Sequence, residues 1–179
     1  MLEKIQLLKS MLMQIDWQKS ILFATDSYKY SHFFQYPKNT DYIESYVEPR
    51  KDPLFSLKVL IAGIADVTNK YFARPITMKE VEAAALFAEL HGVPFNKEGW
   101  ASIVERFGGW LPIEILALPE GTPVKAKNAV AVIRNTVPGY GWVVGWCEPV
   151  ILRSIWYKST VATYSASIKK VIAGTLKDF

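Results

Sequence analysis

The sequence has a single cysteine, Cys147, and two histidines, His32 and His91. One thiol excludes an internal disulfide. In its tryptophan-rich apolar surroundings it is expected to be buried, inert and reduced, in a cytoplasmic setting. The histidines lie far apart, with no cysteine or carboxylate cluster around them, so the spacings of metal-binding motifs are missing. A Walker A loop and a nucleophile elbow are missing too. No apolar run reaches the length of a membrane span. The first twenty residues are interrupted by Glu3, Lys4 and Lys9, and no small-x-small cleavage site follows, which argues against a secretory signal. The net charge is +4, but the basic residues are scattered and their longest clusters are the pairs Arg50-Lys51 and Lys169-Lys170. That distribution argues against a nucleic-acid partner.

What is present is apolar and aromatic. Half of the 179 residues are hydrophobic, and six tryptophans and nine tyrosines are among them. A chain of this length buries a real core, as one domain or as part of a larger one. The large flat side chains contribute most in cores, pockets and interfaces.

Periodicity divides the chain. Ile5, Leu8, Met11, Leu12 and Ile15 recur at helical spacing, so residues 1–16 read as an amphipathic extension preceding a body over 17–179. From Ile21 a short apolar run reads as a strand that ends in the polar residues Thr25 to Lys29. Residues 41–48 alternate and predict a half-buried strand leading into a basic turn, Pro49-Arg-Lys-Asp-Pro53. Spacings of three and four from Leu57 to Tyr71 predict a helix over 57–72 despite Gly63. Thr77-Met-Lys-Glu80 is a capping box, opening a helix that ends before Gly92. A shorter helix over 97–107 places Trp100, Ile103, Val104 and Phe107 on one face. Between Leu111 and Thr136 alternation punctuated by Pro119, Gly121, Pro123 and Asn128 predicts several short strands. A long run from Trp142 to Tyr157 follows, then a helical pattern through Val161, Ile168, Val171 and Ile172. That last helix meets no cap, so the reading is of a chain cut short.

Three motifs bear on chemistry. Gly139-Tyr-Gly-Trp-Val-Val-Gly145 has one residue too many before its last glycine and Pro138 where a strand should arrive, so it is not a dinucleotide fingerprint. Asp26-Ser-Tyr-Lys29 gathers a carboxylate, a phenol and an ammonium that together can orient an aromatic amide and an anion. Taken alone, such a quartet is more often an ordinary polar turn. Arg50 can grip a phosphate through two parallel hydrogen bonds, with Lys51 adding a less directional charge. The alternative is a solvated surface pair.

Several segments in order carry a resemblance: Leu22-Phe-Ala-Thr-Asp-Ser-Tyr-Lys29, Gln35-Tyr-Pro37, Phe95-Asn-Lys-Glu-Gly-Trp100, Leu111-Pro-Ile-Glu-Ile115, Pro119-Glu-Gly121, and Trp156-Tyr157 followed by Thr160-Val-Ala-Thr163. From about Ile21 to about Ile172 the chain resembles the N-terminal part of nicotinamide phosphoribosyltransferases. The resemblance implies an α+β fold, with short strands and packed helices that in the whole enzyme lean on an α/β barrel. It implies a share in making nicotinamide mononucleotide from nicotinamide and phosphoribosyl pyrophosphate for NAD salvage, with magnesium accompanying the pyrophosphate.

Carried over residue by residue, the resemblance implies that Tyr28 stacks on a nicotinamide ring bound mainly by the other subunit of a homodimer, with Asp26 close by. Arg50, after the strand Ser45-Tyr-Val-Glu48, is implied to contact substrate phosphates, and Lys51 is a weaker candidate. No residue here matches the family's catalytic histidine, its specificity aspartate or its barrel phosphate sites, although Asp178-Phe179 echoes the start of a family Asp-Phe-Gly segment. The expectation is therefore a module inactive alone. The alternatives are a noncatalytic or split-enzyme subunit that pairs with a complementing C-terminal chain, or a piece of a related nicotinate phosphoribosyltransferase. An unusually apolar exposed surface is expected in either case.

Overall fold

A computed structural model describes residues 1–53, 56 and 58–176. The architecture is α+β: among the described residues there are two small antiparallel sheets and five α-helices, the last of which runs through the body.

The larger sheet has strand order β1-β5-β3, from Glu44–Val47 (β1), Ala131–Asn135 (β5) and Ile113–Ala117 (β3). Its outer face is tied by Arg134, which pairs with Glu114 at 2.6 Å and approaches Glu44 at 3.8 Å. Both glutamates lie opposite that arginine in register, which places the opposite charges across neighbouring strands. The inner face contributes Ala131 and Ile133 to the core. A second sheet pairs Val59–Leu60 (β2) with Pro123–Val124 (β4).

Helix α3 (Met78–His91) starts and ends as its sequence predicts. Thr77 Oγ1 accepts from the Glu80 amide at 3.3 Å, Glu80 Oε2 accepts from the Thr77 amide at 2.8 Å, and Gly92 closes the helix at φ 77°. Helix α4 (Lys97–Phe107) buries Trp100 and Ile103 and is capped by Asn96. Helix α1 (Leu2–Leu12) buries none of its side chains fully and lies along α3, where Lys4 pairs with Glu89.

Two expectations are corrected. The apolar run from Ile21 is not a strand; Ile21–Phe23 and Ser27–Phe34 are 3-10 turns. The reason is that Ile21 and Leu22 are both buried, and adjacent residues of a strand point to opposite faces. The predicted helix over 57–72 is instead β2, a four-residue helix α2 (Ile64–Val67) and a π-helical turn over Thr68–Phe72. Its first residue, Leu57, lies outside the described residues, as does Asp178-Phe179. The break falls at Gly63, which adopts φ +105° and whose Cβ position is occupied by the Ser154 carbonyl oxygen.

Helix α5 (Gly141–Thr175) joins the run after Trp142 and the later helical pattern into one element of 35 residues. Its first half is buried nearly all round, through Val143, Val144, Trp146, Cys147, Val150, Ile151 and Ile155. Trp142 and Trp146 meet Trp100 edge to face, with ring centroids 4.8 and 5.2 Å apart. Pro149 removes one ladder donor within the helix, and close by the Thr25 hydroxyl donates to the Trp146 carbonyl at 2.9 Å. Farther along, Thr163 and Ser159 accept from the amides of Leu60 and Ala62 at 2.8 and 3.0 Å, which joins β2 to the helix. Beyond Thr163 no described residue of α5 is buried. There Ile168, Val171, Ile172 and Leu176 are all exposed, and with Trp156 and Tyr157 they form the apolar surface expected from the sequence. No helix of the described residues is long and apolar enough to cross a membrane.

Candidate functional site

The Asp26-Ser-Tyr-Lys29 turn lies against both α5 and α3, and three of its side chains are held by other elements. Asp26 occupies the N-cap of the 3-10 turn yet makes no cap hydrogen bond. Its carboxylate instead accepts from Nη1 of Arg153 on α5 at 2.9 Å. The Ser27 hydroxyl is 2.7 Å from Nε2 of His91, the last residue of α3, whose ring stacks on Phe87. Lys29 is only 7% exposed and its ammonium pairs with Glu148 of α5.

Tyr28 is the member turned outward, 56% exposed. His32 lies beside its ring at 5.3 Å between centroids, and the Lys29 ammonium is 5.3 Å from the ring centre. Its carbonyl accepts from the Ser31 hydroxyl at 3.1 Å. A flat ring held on a fixed turn and open on one side is a platform for another flat ring. Behind it, burial pushes the Tyr30 phenol up to about 12, and that hydroxyl donates to the Leu22 carbonyl at 3.2 Å. Burial also raises the Tyr36 phenol, an effect that Lys29 opposes and Glu148 adds to. The Cys147 thiol is buried as expected and held well above its usual range by that burial.

Arg50 and Lys51 sit in the turn after β1, which is fastened by the Ala126 amide donating to Asp52 at 2.9 Å and the Lys127 amide donating to the Pro49 carbonyl at 2.7 Å. Both line a groove of about 690 Å³ between this turn and α5. Its lining is mostly apolar, including Val59, Ile61, Ile155 and Trp156, and it also includes Arg50, Lys51, Arg153 and one carboxylate, Glu48. Arg50, Lys51 and Arg153 outnumber Glu48 and the Asp26 that pairs with Arg153, a surplus that suits an anionic ligand.

The structure therefore brings Arg50 and Lys51 into one groove and places Asp26 at its edge through Arg153, while Tyr28 stands outside the groove lining. Arg153 is the site residue that sequence reasoning missed. A signal existed: between Gly139 and Tyr157 the only charged residues are Glu148 and Arg153, and each reaches back to the turn. A charge kept within so apolar a run has a partner.

Comparison with known proteins adds the following. Residues 20–115 match the family description "Nicotinamide phosphoribosyltransferase, N-terminal domain". The chain is 38% identical over 158 residues to a nicotinamide phosphoribosyltransferase of Xanthomonas campestris pv. campestris, covering 88% of this chain and 33% of that one. Against a protein of the same name from Acinetobacter baylyi it is 26% identical over 165 residues, covering 84% of this chain and 33% of the other. It spans about a third of the length of these curated relatives. The crystal structure of human nicotinic acid phosphoribosyltransferase superposes with a TM-score of 0.59 at 22% identity, over 79% of this chain and 27% of that one, which is a likeness of fold.

Proposed function

Because this chain belongs to the nicotinamide phosphoribosyltransferase family through its N-terminal domain, we propose that it supplies one edge of a site that joins nicotinamide to phosphoribosyl pyrophosphate. Tyr28 is the ring platform, Asp26 its neighbouring carboxylate, Arg50 the phosphate grip and Lys51 an added charge. The observation that carries this reading is Arg153, which bonds Asp26 and lines the groove of Arg50 and Lys51, so the aromatic and cationic halves share one edge.

The edge is not the whole site. Phosphoribosyl transfer passes through an oxocarbenium-like state and needs both a positioned pyrophosphate and an oriented nucleophile. Magnesium enters with the pyrophosphate. The donor set here does not fit a protein cage for it: Glu48 is the groove's one carboxylate, and no group of three His, Cys, Asp or Glu forms among the described residues.

The exposed apolar face of α5 favours a second element of the proposal, that the remainder of the site comes from a complementing chain or a second copy of a homodimer, in a cytoplasmic setting. Without such a partner the module acts as a noncatalytic subunit. Nicotinate in place of nicotinamide is the alternative ring, since nothing in Tyr28 or Asp26 separates amide from acid.

The test is nicotinamide mononucleotide formation from nicotinamide, phosphoribosyl pyrophosphate and magnesium, with this chain alone and mixed with the C-terminal part of the Xanthomonas relative. Product in the mixture alone is expected, and lost with Tyr28→Ala. Turnover by the chain alone overturns the shared-site proposal, and product in neither overturns the substrate assignment.

A further inference from the structure

Arg153 faces two ways. A guanidinium has five N–H donors in a rigid fork. Here Nη1 donates to the Asp26 carboxylate at 2.9 Å and Nη2 donates to the Ala24 carbonyl. The Nε–H has no protein acceptor among the described residues, and the side chain lines the groove that holds Arg50 and Lys51. An anion in the groove can take the unused donors while both existing bonds persist.

Asp26, at the start of the turn, depends on that side chain. Among the described residues the Asp26 carboxylate has no other hydrogen-bond partner, and Asp26 is the residue from which the Ser27–Phe34 turn starts. Whatever immobilises the guanidinium immobilises the first residue of the turn, two residues before Tyr28. The Arg153 side chain is more than half exposed, so it has freedom to lose when an anion arrives. Ordering that has already been met by one ligand lowers the cost for the next.

We propose that Arg153 couples the two subsites, so that a diphosphate-class anion in the groove orders the Asp26-Tyr28 turn and tightens its hold on an aromatic ring. The nicotinamide part of this rests on Tyr28 being the ring platform; the coupling of groove to turn does not. By linkage the effect is reciprocal, with the ring tightening the anion by the same factor. The expected factor is about three- to tenfold, the net range of one ordinary hydrogen bond, since the bonds to Arg153 exist already and gain only order. Arg153 is thus a positioning residue for Tyr28 as well as an anion contact.

The experiment labels the full chain with 3-fluorotyrosine and assigns the Tyr28 fluorine resonance by its loss in Tyr28→Phe. Inorganic pyrophosphate is titrated in, with its binding measured independently by calorimetry, and nicotinamide is then titrated with and without saturating pyrophosphate. The parent is expected to show a saturable movement of the Tyr28 resonance and three- to tenfold tighter nicotinamide binding when pyrophosphate is present. Arg153→Lys keeps the charge but loses the fork, and Asp26→Asn weakens the link from the other side. In both, pyrophosphate is expected to bind while the Tyr28 response and the enhancement disappear. A Tyr28 resonance that stays still while pyrophosphate binds, one that moves equally in Arg153→Lys, or absence of pyrophosphate binding overturns the coupling. A Tyr28 response without any nicotinamide binding upholds the coupling of groove to turn and overturns the tighter hold of this chain on a ring.

Discussion

Lys29 and Glu148 meet behind the turn that presents Tyr28, with the lysine enclosed and the glutamate half exposed. The enclosed partner is the one that cannot be left alone, because an ammonium removed from water needs its counter-charge.

Glu148→Gln strands that ammonium, and a loss of about 1–3 kcal/mol is expected, reduced from the fully buried case because water reaches the glutamate side. Lys29→Met should cost less, since the carboxylate left behind is solvated. Urea unfolding of the two variants decides it; equal losses contradict the argument.

Gly63→Ala places a side chain at φ +105° against the Ser154 carbonyl oxygen and should destabilise by about 2 kcal/mol or more. Gly92→Ala, at φ 77° with open space around it, should cost about 1 kcal/mol. Thermal unfolding that ranks them the other way removes the packing explanation for the break before α2.

Stability should fall as pH rises from 10 toward 12. Tyr30 is neutral in the folded state up to about 12 but ionises near 10 when unfolded, so in that window the unfolded chain holds fewer protons and is favoured. Cys147 acts with the same sign from about pH 9, the ordinary thiol value. Tyr30→Phe should flatten the part of the decline above pH 10 in unfolding curves and leave the thiol part unchanged.

Arg50→Ala should weaken pyrophosphate binding about tenfold and reduce its salt dependence, with no loss of stability because the side chain is exposed. Arg50→Lys should recover only part of the affinity, since it restores charge without the fork. Titration at two salt concentrations checks both.

Val171→Glu combined with Ile172→Glu should leave the unfolding free energy from urea titration within about 0.5 kcal/mol of the parent, as neither side chain belongs to the core. The same pair should abolish complementation by the C-terminal part of a relative. Unimpaired product formation in that mixture rules out this face as the docking surface.

The parts of the fold legible in sequence were those with a local cause. The Thr77–Glu80 box and Gly92 bracket a helix by reciprocal hydrogen bonds within a few residues, and Trp100 with Ile103 marks a face by spacing alone. The reading failed where distant groups decide. Leu60 and Ala62 give up a helical pattern because the hydroxyls of Thr163 and Ser159 take their amides, a contact about a hundred residues away. For the candidate site, Tyr28, Asp26, Arg50 and Lys51 stand out through the order of segments shared with the family as much as through their chemistry. Their union through Arg153 depends on where α5 runs, and its unbroken course across Pro149 was hidden by a residue that usually ends helices.

Helix α5 is about 52 Å long at 1.5 Å per residue, and its two halves live in different surroundings. Its backbone amides should therefore not exchange with solvent deuterium as one unit. Those from Val143 to Thr163 should persist until global unfolding, whereas those after Ser167 should exchange by fraying. A single helix thus carries a protection boundary, and a partner that covers the outer half would be seen as that boundary moving toward Thr175.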